Sequence, residues 1–369
     1  MITQLNNNPP YPNHESKVGR LAWKRVEEFL KRPDFNGFTK DDLFIMNFIK
    51  KAWGQDIAAL SNMAEAISLR HRHQHLDLVS AKSLMMAAIE RALHKSVSPY
   101  RKNISAINDL GSHGYYLEHL NIILGNAASI GVIQYENLNL RISEHLSEQS
   151  LAQTNAHAPL MPHVKMRWSA DQAAILHSLW MCDKNYKTDF HKKPSERWLD
   201  HMKLNMTDEK TGLFQTEAMG IKQYSKQPRG CALSYLIYYA SSFAPDVAQE
   251  QWRRYKEHML IKRMGVLGFR EYLETYEGKW TPDSGPIIGG IGVAATGLGL
   301  KAASSMSDED VMATLRGSLD SVIRICQGVS FIPGINVIAS IGTDILASSI
   351  LSACSFAEAD IGNVNAQHA

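Results

Sequence analysis

Four segments of this chain set a polar or charged residue just ahead of, or within the first turns of, an apolar helical run. "SHGYYLEHLNIILG" carries His113, Tyr116 and His119, and "MRWSADQAAIL" carries Asp171. "KQPRGCALSYLIYYA" carries Arg229 and, one to two turns on, Tyr235, while "TPDSGPII" carries Asp283. Tyrosine and histidine can serve as acid, base or hydrogen-bond donor. An arginine can hold a carboxylate or phosphate in a planar fork. The less regular segments "FQTEAMG" and "GFREYLE" add Glu217, Arg270 and Glu271. Two carboxylates around one cavity suit glycosidic or elimination chemistry. The expected catalytic set is Tyr116, His119, Asp171 and Asp283, with His113, Glu217, Arg229, Tyr235, Arg270 and Glu271 contacting substrate. Helix capping is the structural alternative for Asp171 and Asp283. Burial would raise a carboxyl pKa there and Arg229 would lower it, so the sequence leaves open which aspartate is the acid.

Other motifs narrow the chemistry. "RHRHQH" brings His71 and His75 one helical turn apart, but no HExxH or further ligand cluster follows, so a solvated basic helix end is expected and no metal site. No Gly-x-Ser-x-Gly elbow and no Walker Gly-Lys-Ser/Thr occurs. Cys182, Cys231, Cys326 and Cys354 are far apart and form no CxxC pair, which points to buried free thiols.

The elements that must position these residues are helical. The chain has 369 residues, 44% hydrophobic and 21% charged, with a formal net charge of +2, which gives no electrostatic reason to expect nucleic acid. After an Asn/Pro-rich leader, apolar residues recur at three- and four-residue spacing to the end, in segments near 21–32, 41–53, 56–70 and 78–95 and in about nine further runs. Paired helices joined by turn signals such as "GSHG" and "FAPD", without a short exact repeat, predict an all-α, (α/α)6 toroid of helical hairpins. One helix of each hairpin would line the centre, with inner helices beginning near 114, 170, 230 and 286. The expected organisation is an arm at 1–18, a single barrel domain at 19–360 and a tail at 361–369. The glycine-rich "DSGPIIGGIGVAATGLG" reads as an inner helix from about Gly285, whose small residues Gly285, Gly289, Gly292, Thr296 and Gly299 form one closely packed stripe. "INVIASIGTDILASSILSACSFA" approaches membrane-spanning length, but Asp344 in its middle favours a buried helix.

From about residue 112 to 300 the chain resembles the bacterial (α/α)6-barrel proteins grouped with linalool dehydratase/isomerase. The resemblance rests on "HGYYLEHLNIILG", "RWSADQAAILHSLWMCDKN", "WLDHMK" followed by "TGLF", "PRGCALSYLIYYASSFAPDVAQEQW" and "DSGPIIGGIGVAATGLGLKAA". It implies the barrel and a cofactor-independent lyase or isomerase, dehydratase-like, acting on a small hydroxylated substrate in the barrel mouth. In place of the characterised enzyme's cysteine-containing pattern this chain reads "RWSADQA", with Ser169 and Asp171, so the resemblance speaks for the fold more than for dehydration. The alternatives are a glycan-active (α/α)6 hydrolase or epimerase, or a non-catalytic binding or assembly protein using the cavity or rim. No cofactor is expected. The expected partner is a small-molecule substrate, with no nucleic acid and no membrane span, and a homo-oligomer stays open. The amino terminus shows no apolar run behind a basic start, so the expected location is cytoplasmic, or periplasmic had an export segment been removed.

Overall fold

The computed structural model describes residues 17–47, 50–52, 54–219, 223–224, 227–263, 265–274, 278–279, 281–328 and 344–354. The expected arm lies outside them except for residues 17 and 18, and the expected tail at 361–369 lies outside them entirely. The described helices are α1 (Lys17–Leu30), α2 (Gln55–Arg72), α3 (Leu78–Leu93), α4 (Gly114–Ser129), α5 (Glu136–Ala152), α6 (Ser169–Tyr186), α7 (Lys192–Asn205), α8 (Gly230–Phe243), α9 (Pro245–Met259), α10 (Val293–Ser305), α11 (Glu309–Gly328) and α12 (Ile345–Cys354).

The even-numbered helices each pack on the next, and α12 closes back onto α2, so they form an inner ring. The odd-numbered helices clad it: α1 lies against α12, α3 against α2 and α4, α5 against α4 and α6, α9 against α8, and α11 against α10. Burial follows this division. Every residue of α2 from Asp56 to Arg70 is buried, as a helix enclosed on all sides must be. The outer α7 buries only Pro194, Ser195, Trp198 and Met202, a single stripe at helical spacing.

Among the described residues three short sheets sit at the loops. β1 (Met166–Trp168), β2 (Glu217–Met219) and β3 (Gln223–Tyr224) are antiparallel, with Trp168 opposite Glu217, and β4 (Leu260–Arg263) pairs with β5 (Val266–Phe269). The third sheet corrects the sequence reading. The segment expected as the start of an inner helix is a hairpin, β6 (Ile287–Ile288) with β7 (Ile291–Gly292), and α10 begins only at Val293. Gly289 and Gly290 form its two-residue loop with φ of 58° and 85°, the doubly left-handed turn whose twist matches a hairpin. The Gly-Gly pair is a stronger turn signal than a stripe of small residues is a helix signal. The later part of the stripe packs as expected: a Cβ on Gly299 would lie 2.4 Å from the Phe269 ring.

Among the described residues of the helix expected over 41–53, the helical part is a single 3-10 turn at Phe44–Asn47. Its Phe44 N–H donates to the Asp344 carboxyl at 2.6 Å, and the same aspartate accepts from Leu346 N at 2.8 Å at the start of α12. No helix among the described residues is long and apolar enough to cross a membrane. Cys182, Cys231 and Cys354 are buried free thiols, and the Cys326 side chain lies outside the described residues.

Candidate active site

The starts of α2, α4, α6 and α8 meet at one mouth of the ring. A Cβ on Gly54, just before α2, would stand 2.4 Å from the Tyr115 ring, and Gln55 Nε2 donates to Pro282 O at 3.3 Å. On α4, neighbouring side chains diverge by about 100°. Tyr115 and Glu118 turn toward the ring interior, whereas Tyr116 turns outward and donates its hydroxyl to Ala92 O at 2.9 Å. Tyr116, expected as catalytic, is thereby tied to the outer helix α3. His113, just before α4, stands against the Tyr100 ring at 5.1 Å.

Asp171 is in the first turn of α6 but caps nothing: the cap position is Trp168, with no side-chain cap bond. Its carboxyl lies within hydrogen-bonding range of the Glu118 carboxyl. Burial, then the nearby Asp283 charge, pushes Asp171 up to about 7, against the opposing pull of its own backbone N–H and of Glu118. Glu118, fully buried, is pushed well above the carboxylate range by burial and by Asp171. Tyr115, Asp171 and Tyr235 keep part of their surface accessible although they are deep in the ring, so that surface faces its interior. Burial raises the Tyr115 phenol well above its ordinary range, and the charges of Asp171, Glu118, Asp283 and Asp56 raise it further.

Asp283 does not cap a helix either, because α10 starts ten residues later than the aspartate. It sits in the turn Thr281–Ser284, where Pro282 supplies the fixed φ of the second position. Thr281 N donates to Ser284 Oγ at 2.8 Å, Ser284 N to Thr281 Oγ1 at 3.3 Å and Gly285 N to Thr281 O at 3.1 Å. The exposed Asp283 carboxyl accepts no hydrogen bond from the described residues. Although its side chain is exposed, the crowding of the mouth desolvates the carboxyl and raises its pKa, with Arg229 pulling it down and Glu217 pushing it up.

Arg229 occupies the position before α8, makes no side-chain cap bond and points its guanidinium at other protein groups. Nε donates to Glu271 at 3.0 Å, Nη1 to Glu217 at 3.1 Å and Nη2 to Thr281 Oγ1 at 2.8 Å. Glu271 also accepts from Cys231 N and Sγ, both at 3.1 Å, and its carbonyl accepts from Gly230 N at 2.8 Å. That last approach demands glycine, since a Cβ on Gly230 would fall 1.9 Å from Arg270 O. Arg229, Glu217 and Glu271, expected to bind substrate, are thus joined into one bracket around the turn that carries Asp283. Arg270 pairs with the exposed Glu274 at 3.0 Å, away from that bracket.

His119 is fully buried and held neutral, its pKa lowered to about 3 by burial and then by Lys301. Its Nε2 stands 3.4 Å from the Tyr235 hydroxyl. One to two turns further into the ring lies a layer that sequence reasoning missed. Lys301 of α10 donates to Asn62 Oδ1 at 2.8 Å and to Glu65, and its ammonium stands 4.1 Å from the centre of the Tyr238 ring. Glu118 was visible in "YYLEH" as a glutamate among apolar residues, but nothing in the sequence brings Glu65 and Lys301 together. Asp183, Asp189 and His191 have ligand atoms close enough for a metal ion, at the far end of α6, but Asp183 already accepts from Thr188, Phe190 N and His191.

No protein-family model matches the chain, and no curated protein matches it by sequence. Solved structures do match it. A family 76 α-1,6-mannanase from a Salegentibacter species, an inactive variant with two consecutive aspartates replaced, bound to α-1,6-mannotriose, superposes with a TM-score of 0.54 at 11% identity, covering 92% of this chain and 100% of that one. A family 76 mannosidase from Bacteroides thetaiotaomicron gives 0.55 at 10% identity, covering 94% and 100%. The chain is an (α/α)6 barrel. At such identity the likeness establishes the fold alone. The barrel neighbours are glycoside hydrolases, and the resemblance to the linalool dehydratase/isomerase group finds no support among them.

Proposed function

We propose that this barrel is a glycan-active enzyme that cleaves a glycosidic bond at its mouth, with Asp171 as general acid and Asp283 as the second carboxylate. The observation that carries the reading is the environment of Asp171: a cavity-facing carboxyl raised to about 7, beside an exposed carboxylate with no hydrogen-bond donor of its own among the described residues. Glycosidic cleavage needs such a pair, one carboxyl protonated near neutral pH and one ionised. Asp171 gives its proton to the glycosidic oxygen as the bond to the sugar carbon breaks. Asp283, raised by desolvation but drawn toward its charged form by Arg229, attends the developing positive charge on the ring or activates the water that replaces the leaving group. Tyr115 and Tyr235 supply flat apolar walls and hydroxyls suited to a sugar face.

The fold likeness to α-1,6-mannanases makes α-1,6-linked mannooligosaccharides the first substrates to assay. Dehydration of a small alcohol would use the same acid, but the exposed second carboxylate at the mouth suits glycan chemistry better than a closed apolar pocket would. The test is release of reducing ends from α-1,6-mannan and a panel of other α- and β-glycans by the wild type, Asp171→Asn and Asp283→Asn. Cleavage by the wild type and its loss in both variants supports the proposal. Cleavage of none of these glycans, or cleavage undiminished in the variants, refutes it.

A further inference from the structure

We propose that Glu118 is a positioning residue that holds its own proton against Asp171, so that the two carboxyls act as one proton-sharing pair across α4 and α6. The inference rests on Asp171 as the acid of the reading above, but the pairing itself is measurable without a substrate. Glu118 is 0% exposed, and neither of its oxygens accepts a hydrogen bond from any donor among the described residues. His119 Nε2 comes no nearer than 3.7 Å to it. The partner within hydrogen-bonding range is the Asp171 carboxyl, and two carboxylates cannot hydrogen-bond to each other. A proton must therefore lie between them, as in any pair of carboxyls brought together away from water.

The two members are not equivalent. Glu118 is enclosed, whereas Asp171 keeps accessible surface toward the ring interior. Asp171 can therefore meet a ligand and Glu118 acts through it. The charged and titratable neighbours are Asp283 from the mouth turn, Tyr115 and His119 from α4, Tyr235 and Tyr239 from α8, and Asp56 from α2. None of these is a cation, since His119 is held neutral and Lys301 is bound to Glu65. A retained proton is thus the means of stabilising charge on Asp171. When the Asp171 O–H breaks and its proton passes to the leaving oxygen, the Glu118 O–H remains intact and donates to the new carboxylate.

The experiment follows the protonated-carboxyl band by infrared difference spectroscopy from pH 4 to 9, in wild type, Glu118→Gln, Glu118→Leu and Asp171→Asn. In the wild type one buried carboxyl should titrate with a midpoint near 7, absent in Asp171→Asn, and a second should stay protonated at pH 8 and vanish in Glu118→Gln. Glu118→Gln keeps a donor and should leave the Asp171 midpoint within about one pH unit. Glu118→Leu removes the donor and should raise that midpoint by about one unit or more. A merely structural glutamate would not move it. An Asp171 midpoint identical in wild type and Glu118→Leu, or no carboxyl still protonated at pH 8 in the wild type, overturns the proposal. Should Glu118→Leu fail to fold, the pH 8 band and its loss in Glu118→Gln decide the matter. Glycan cleavage enters none of these readouts, so the pair can fail while the glycan reading stands, and the reverse.

Discussion

Arg229 Nη2 donates to Thr281 Oγ1 at 2.8 Å, and through that bond the first residue before α8 holds the turn that displays Asp283. The same guanidinium grips Glu271, which is buried, and Glu217, which stands opposite Trp168 at the entry to α6. One side chain thereby sets the relative positions of the two aspartates without touching Asp171. Replacing it by methionine strands a buried carboxylate, a loss that typically costs about 3–5 kcal/mol. Arg229→Met should lower the denaturation midpoint markedly and weaken cleavage, and Arg229→Lys, which cannot reproduce the fork, should fall between. An unchanged midpoint in Arg229→Met would show that the bracket is not formed.

Asp283 should behave in the opposite way. It is exposed and makes no hydrogen bond to the described residues, and the turn around it is held by Thr281 and Ser284. Asp283→Asn should therefore leave the melting temperature within a few degrees while abolishing turnover. Ser284→Ala, which breaks the turn but keeps the carboxyl, should cost about 0.5–1.5 kcal/mol in stability and impair turnover less. Unfolding of Asp283→Asn at ambient temperature would assign the residue a structural role.

Asp171 makes stability depend on pH. Its pKa is raised from 3.8 to about 7 in the folded state, chiefly by burial and then by Asp283, so between these values the native state binds more protons than the unfolded chain. Its contribution is fully present below about pH 4 and is lost as the pH rises to about 7. Glu118, also raised, extends the same slope upward. Urea denaturation from pH 4 to 8 should show Asp171→Asn gaining stability relative to the wild type as pH rises, by on the order of a few kcal/mol. A constant difference across that range would mean that Asp171 is ionised and solvated throughout.

The glycines give a paired test of packing in α10. A methyl on Gly299 would meet the Phe269 ring at 2.4 Å, whereas nothing lies within 4 Å of a methyl on Gly297. Gly299→Ala should destabilise by about 1–3 kcal/mol through overpacking. Gly297→Ala should stabilise by up to about 1 kcal/mol through helix propensity. Equal effects of the two substitutions would show that the Phe269 contact is absent.

These positions also mark what the sequence could disclose. The inner helices at 114, 170 and 230 were legible because a helix enclosed on all sides is apolar all round and begins after a polar turn. The fourth, expected at 286, was displaced to Val293 because a hairpin loop and a small-residue stripe use the same glycines. Asp171, Asp283, Arg229 and Tyr235 could be singled out by their place at the mouth. Tyr115 and Tyr116 could not be separated, since both carry a polar tip and only the ring's position decides which one turns inward. Lys301 and Glu65 lie 236 residues apart, and no local pattern links them before the ring closes.

The central claim is that Asp171 and Asp283 cleave a glycosidic bond together. The most direct measurement is the rate of product formation from α-1,6-mannotetraose, with the wider glycan panel alongside, for wild type, Asp171→Asn, Asp283→Asn and the double variant. The account predicts cleavage of at least one of these glycans by the wild type. Each single variant should lose about as much as the double, because acid and partner act as one unit. No cleavage of any glycan by the folded wild type would contradict it, as would losses in the two single variants that simply multiply in the double.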